Sequence, residues 1–420
     1  MDTDKPKTSI LRIEFQSVIG TVDRNKFNVR KVVVPPGMET IGPRVFINCC
    51  RLTSLTLPDT LTSIAPNAFH RCRLLASLVL PGTLTKIGAK AFCECRGLTS
   101  LTLPISVTMV DACAFRNCLA LTFLTLSPTL TFLGSSAFQG CVGLKSIALP
   151  ATLTNMCRNT FCDCSGLTSV ILQEGLTRVG SQAFCGCTAL TCLILPHTVT
   201  TLGPSALAKS GLTSLTLPPG LTSVARKALN GCLSLSSLVL PNTLTSLRYS
   251  VFSQCGFTSL TLPESLTSVG TYSCAFNSNL VSLTLPNSLT EIGRDAFNNC
   301  SSLTSLTLPH ATTSISDSAF YCCSGLTSLT LPHALTQVGN RAFGYCISLA
   351  SVAFGPRVSP AFVAWAVGNS RNRDNWQLST LNQLRNILRL ITVLSLERRH
   401  VSSVDPDGKK EVFRGCRMLY

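Results

Sequence analysis

The chain predicts a repeat solenoid, one small coil copied along an axis. Three observations carry that prediction. A sequence unit recurs at a nearly constant spacing, its apolar residues keep fixed offsets, and a single unit is too small to stand alone. The stretch Leu280 to Ser302, LVSLTLPNSLTEIGRDAFNNCSS, shows the unit at its clearest. Each unit is indexed below by the residue that ends its apolar run, usually a proline: Pro35, Pro58, Pro81, Pro104, Ser127, Pro150, Gln173, Pro196, Pro218, Pro241, Pro263, Pro286, Pro309, Pro332 and Gly355. Twelve of the intervals are 23 residues and two are 22, which leaves no room for alternating domains.

Inside the unit, LTSLTLP alternates apolar and polar residues as a strand with one buried side does, and proline then ends the pairing. The run LTSIG buries two more apolar residues before a glycine turn. AFxxC buries a small residue, a Phe and a Cys and leads to the next strand. About six apolar side chains cannot offset the ordering entropy of a whole coil, so coils must stack and share faces. At about 4.7–4.9 Å per parallel strand, the stack would be roughly 70 Å long.

LTSLTLPxxLTSIGxxAFxxC resembles the BspA-like class of leucine-rich repeats across roughly residues 29–355. The resemblance implies a right-handed arc with a parallel β-sheet on its concave face and mostly non-helical convex turns. It also implies binding of other proteins and, in many members, adhesion at a cell surface.

The expected organisation is an N-terminal cap over 1–28, a solenoid of about 14 coils over 29–356, a helical insert over 357–393 and a degenerate closing repeat over 394–420. The cap contains ILRIEF, which alternates like a strand and would cover the first coil's open edge. The insert opens on Asp374 as N-cap with Gln377 three residues on, and Leu381, Leu384, Leu388 and Ile391 follow at helical spacing. In the closing segment Phe413, Cys416 and Leu419 restore the AFxxCxxL offsets. Between about Leu202 and Asn279 the unit is irregular: Leu207 and Leu229 replace Phe, Ser210 replaces Cys, and SCAF at 273–276 moves the Phe two places. A bulge or a change of curvature is expected there.

Candidate sites are weighed against the packing roles the same residues would have. Positions −4 and −2 of the strand point away from the core and form a carpet of Ser and Thr. It includes Ser54, Thr56, Ser100, Thr102, Thr125, Ser214, Thr216, Ser282 and Thr284. Such a carpet suits a polar, charge-poor docking surface, although Thr also favours strands and like residues stack in repeated sheets. Departures from the pattern point better. Phe123 replaces Ser at −4, and Val79, Ile171, Ile194 and Val239 replace Thr at −2. An exposed aromatic of this kind is a common interface anchor. These carpet residues, with Phe123, Ile171 and Ile194, are the expected partner-binding set.

One Cys per coil, from Cys49 to Cys346, reads as an inward ladder of small apolar side chains rather than a metal site, because zinc needs ligands that converge. Cys93, Cys162 and Cys185 lie two residues before the ladder and are expected to point outward, with Cys162 and Cys185 on adjacent coils. The five histidines show no metal-ligand spacing, and no phosphate loop or nucleophile elbow occurs, so no enzyme, metal or cofactor is expected.

Apolar residues make up 45% of the chain and charged residues 13%, which excludes disorder. Of the formal +16, residues 1–31 carry +3, 32–356 carry +7 and 357–420 carry +6. Weak, salt-dependent contact with acidic surfaces follows from this, through Arg385, Arg389, Arg398, Arg399, Lys409 and Lys410 at the far end. No signal-peptide core and no membrane-length apolar run is seen, so an intracellular, cytoplasmic setting with reduced thiols is expected, a cell-surface one being the alternative. The leading functional expectation is a non-catalytic scaffold that binds a protein partner along its sheet. Its alternatives are a surface or matrix adhesion protein and a binder of anionic surfaces.

Overall fold

The computed structural model describes residues 10–12 and 28–354. Over this range the chain forms a parallel β-solenoid of about 14 coils. No α-helix occurs among the described residues. Each coil has three sides, and each side makes backbone bonds along the axis, the LTSL side in separate sheets of two or three strands. The proposed helix at 374–391 and the closing repeat lie outside the described residues.

The first side is the LTSL strand. Its register is one unit throughout: Ser100 faces Phe123, Ser146 faces Ser169, and Ser305 faces Ser328, all parallel. Alternation puts Leu101, Leu124 and Leu306 inside, at 1%, 6% and 2% exposure. Leu283 and Leu285 of the clearest unit are only partly buried against that core. A strand over Ile10–Arg12 pairs in parallel with Lys31–Val33, so ILRIEF begins with the strand expected at the stack's edge.

The second side is the LTSI segment, a two-residue strand that again pairs parallel, as Ile64 does with Ile87 and Ile292 with Ile315. Glycine ends this side for reasons of space. A Cβ on Gly88 would stand 2.8 Å from Ile64 O and Pro66 N of the preceding coil.

The third side is AFxxC, a tight double turn that follows no helix pattern. The residues nine and thirteen places after the index residue take left-handed backbone, as Lys90 (φ 56°) and Glu94 (φ 60°) do. Asn, Asp and Gly tolerate that region best. They recur here as Asn67, Asn117, Asn159, Asp163, Gly140 and Gly186. Alternate N–H groups of this turn point along the axis and donate to the next coil: Asn67 to Ala89 O (2.9 Å), Phe69 to Ala91 O (2.8 Å) and Arg71 to Cys93 O (2.8 Å). The third side is thereby bonded from coil to coil.

The core is a set of columns. Phe46, Phe69, Phe92, Phe115, Phe138, Phe161 and Phe184 stack face to face, with centroids 5.1–5.8 Å apart. The column resumes at Phe297, Phe320 and Phe343.

In the irregular middle the register does not slide. Cys274, fully buried, occupies the Phe position, and Phe276 turns outward at 41% exposure with φ 63°. Phe257, one residue early because its unit is short, replaces the strand's first Leu and packs edge-on against Phe252 at 6.3 Å.

The Cys ladder is inward, as the sequence implies, and it is also a hydrogen-bond ladder. Cys72, Cys95, Cys118, Cys141, Cys164, Cys187, Cys232, Cys255, Cys300, Cys323 and Cys346 each donate S–H to a backbone carbonyl of the preceding coil, at 3.2–3.4 Å. The acceptor is the residue at the Phe position, for example Phe92 for Cys118. Where Asn277 takes the ladder position, its amide donates to Phe252 O (3.1 Å) and Cys274 O (2.8 Å) and accepts from Cys255 N (2.7 Å). The ladder position therefore asks for a small buried donor, which explains why Cys, Asn and Ser occupy it.

Candidate functional site: the outward face of the LTSL sheet

Two kinds of hydroxyl alternate on the surface. In LTS, the Thr before the strand's Ser spends its Oγ1 on the backbone of the preceding coil: Thr99 on Ala76 O (3.2 Å), Thr122 on Thr99 O (3.1 Å) and Thr168 on Lys145 O (3.0 Å). The LTSI side carries a matching column, in which Thr85 donates to Thr62 O and Thr290 to Thr267 O, each at 3.1 Å. These hydroxyls fasten one coil to the next.

The predicted partner-binding residues lie on the other columns. Thr56, Ser100, Thr102, Thr125, Ser214, Thr216, Ser282 and Thr284 are exposed, and Ser54 is half-buried. Their hydroxyls form no hydrogen bond with other described residues, so their donors and acceptors face solvent. Repeated at coil spacing, they make an uncharged hydrogen-bonding surface.

Phe123, Ile171 and Ile194 stand on the same face at 59%, 54% and 78% exposure. Exposed Ala148 lies between the coils of Phe123 and Ile171, and Cys192 lies beside Ile194. Four successive coils thus carry an apolar band inside the hydroxyl carpet. Val79 (81%) and Val239 (55%) share the column of Ile171 and Ile194 but lie outside the band, one before it and one after it. Phe132, 40% exposed, belongs to the LTSI side and so does not join Phe123 on one face.

Charge is distributed unevenly along the axis. Residues 28–158 carry +8, 159–259 carry +3 and 260–354 carry −2. The early excess concentrates near Glu94, where Arg71, Arg73 and Arg96 approach one carboxylate at 3.4, 3.9 and 3.5 Å. His70 beside them is held below its ordinary pKa by burial and by Arg71. The basic residues named at 385–410 lie outside the described residues.

The thiols at the third side's corner depart from expectation. Cys93 and Cys162 are 5% and 6% exposed rather than outward, and Cys185 is half-buried. Left-handed residues flank this position on both sides, closing the turn tightly, and the turns of adjacent coils cover it. Among the described residues no group of three or more His, Cys, Asp or Glu is placed to hold a metal ion. No described helix is long and apolar enough to cross a membrane.

Sequence reasoning missed two features here. One is the division of hydroxyls into bonded and unbonded columns, signalled only by the constancy of Thr in LTS on both sides of the coil. The other is the donor role of the ladder thiols, signalled by Ser210 and Asn277 at the same position.

Comparison with known proteins gives a consistent result. The model for the BspA type leucine rich repeat region (6 copies) matches residues 19–145, 132–258 and 245–360. A leucine-rich repeat protein from Bacteroides ovatus ATCC 8483 is 28% identical, with TM-score 0.65, over 80% of this chain and 81% of that one. A leucine rich cell surface protein from Faecalibacterium prausnitzii A2-165 is 24% identical, with TM-score 0.44, over 80% of this chain and 90% of that one. No curated protein matches the chain significantly. With the family model spanning the whole run of coils, and the coil itself built as that repeat requires, the chain belongs to the BspA-type leucine-rich repeat family.

Proposed function

We propose that the chain is a non-catalytic scaffold that docks a protein partner along the outward face of its LTSL sheet. One observation carries this reading. The hydroxyls on that face are unbonded while the neighbouring hydroxyl columns are consumed by the backbone, and the apolar substitutions Phe123, Ile171 and Ile194 fall on the unbonded columns. A polar segment of the partner would exchange water for Ser and Thr along the columns, and the apolar band would supply the anchor. The stacked coils hold that surface in place before binding, which keeps the ordering cost low.

Affinity capture from the native cell tests the reading. The bait is the full chain beside a variant with Ser100→Asp, Thr102→Asp, Phe123→Asp and Thr125→Asp. Loss of a specific partner from the variant supports the sheet face. Equal recovery of that partner by a folded variant rejects it.

A further inference from the structure

We propose that Cys162 and Cys185 form a redox modification site, a thiol pair on adjacent coils that closes to a disulfide on reaction with a peroxide. The pair sits at equivalent positions of neighbouring turns. Asp163 N donates to Cys185 O at 2.7 Å, and the rings of Phe161 and Phe184 stack at 5.8 Å, so the two thiols are one coil spacing apart. That spacing, about 4.8 Å between in-register backbones, falls within the Cα range a disulfide spans. Cys162 Sγ lies 3.4 Å from Asp163 Oδ2, on the turn that stacks directly against that of Cys185.

The ladder provides an internal contrast. Its thiols repeat at the same coil spacing, yet each is buried and directs its proton at a carbonyl of the preceding coil. Cys141, Cys164 and Cys187 are wholly excluded from solvent. Oxidant has no route to them. At the corner position His70, Arg116, Gln139 and Ala208 stand on the flanking coils, so Cys162 and Cys185 are the one adjacent thiol pair of that column among the described residues.

The local charges divide the roles. Cys185, half-buried, is drawn down to about 7 by the Cys162 thiol beside it, with Lys209 assisting against desolvation and Asp163. Cys162 is pushed well up by the Cys185 thiol, by burial and by Asp163. Cys185 is also the more accessible of the two, whereas the Cys162 thiol is buried and held against the Asp163 carboxylate, so Cys185 is the nucleophile. Its thiolate attacks one peroxide oxygen, the O–O bond breaks, and the departing hydroxide takes a proton to leave as water. Cys185 becomes a sulfenic acid. Cys162 then gives up its proton as its sulfur attacks that of Cys185. The S–O bond breaks, and the hydroxide combines with the released proton as a second water. Two thiols and one hydrogen peroxide become one disulfide and two waters.

The bridge would tie together the two coils whose next strands carry Ile171 and Ile194. It would therefore fix the middle of the proposed docking band; this consequence alone rests on that reading.

The test treats the full folded chain with hydrogen peroxide and maps cysteines under non-reducing conditions, with fragmentation that separates Cys162 from Cys164 and Cys185 from Cys187 and Cys192. The expected result is a Cys162–Cys185 linked peptide lighter by two hydrogens, and a loss of two titratable thiols that reductant restores. In Cys162→Ser, a dimedone-trappable sulfenic acid should accumulate at Cys185. Cys93→Ser should leave the link intact. A folded chain whose peroxide product lacks this link, or links other thiols instead, overturns the proposal, as does a Cys162→Ser chain with no trappable sulfenic acid.

Discussion

Asn277 shows at a single residue how narrow the ladder's requirement is. Its side chain satisfies one N–H and two carbonyls in a site with no access to water. Asn277→Ala leaves Cys255 N–H and Phe252 O unpaired, while Cys274 O keeps the Cys300 thiol at 3.4 Å, and a buried orphan costs about 1–3 kcal/mol. The expected loss is at least about 2 kcal/mol, read as a lower denaturant midpoint at an unchanged m-value. Asn277→Cys restores one donor and should recover part of it. The ladder's burial of apolar-looking residues was legible in the sequence, since Cys recurs at a fixed offset beside an obvious core Phe. Its hydrogen bonds were not, because the acceptor lies in another coil and the offset from donor to acceptor has no local signature. The same holds for Cys93 and Cys162. Two residues before an inward position looks outward under strand alternation, but the segment is a turn closed by left-handed residues, and alternation does not apply there.

The coil was legible as an element in three respects: its strand, its index proline and its inward Phe. Repetition made each position a consensus of many copies. What the repeat concealed was which surface hydroxyls already have work. Thr85 on the LTSI column bonds the preceding coil, whereas Thr102 on the outward column bonds nothing in the described chain. Thr85→Val should therefore cost about 0.5–1 kcal/mol, at the low end for a solvent-accessible hydrogen bond. Thr102→Val, which keeps the branched shape a strand favours, should be neutral within about 0.5 kcal/mol in thermal or chemical unfolding. If Thr102→Val instead weakens partner capture, stability and recognition separate onto neighbouring columns of one coil. The middle coils were legible as irregular, from Leu207, Leu229, Ser210 and the moved Phe276. Cys274 takes the Phe position in place, and the in-register pairing of Ser259 with Ser282 persists beside it.

Across the whole molecule the ladder makes a large number of thiols titrate abnormally. Burial pushes Cys141 and Cys300 up to about 12, and raises Cys118, Cys164, Cys187, Cys255 and Cys323 well above the ordinary thiol value. In the unfolded chain these thiols ionise near pH 8.5. The folded pKa is the higher one, so this stability is fully present below about pH 8.5 and is lost as pH rises towards the folded values. Each such thiol contributes a slope of about 1.4 kcal/mol per pH unit in that window, and the slopes add. Alkaline unfolding should therefore be steep and should begin between about pH 9 and 10, whereas a chain with its ladder thiols changed to Ser should resist it; circular dichroism against pH measures both. The outward hydroxyl columns have a different consequence. A surface that repeats itself at every coil is a track with many equivalent stopping points, and a ligand reading Ser and Thr alone could settle in any of them or move along. About eight equivalent registers would add roughly RT ln 8, near 1 kcal/mol, to its affinity and nothing to its positional specificity. Phe123, Ile171 and Ile194 break that translational symmetry, and so give the track a single address.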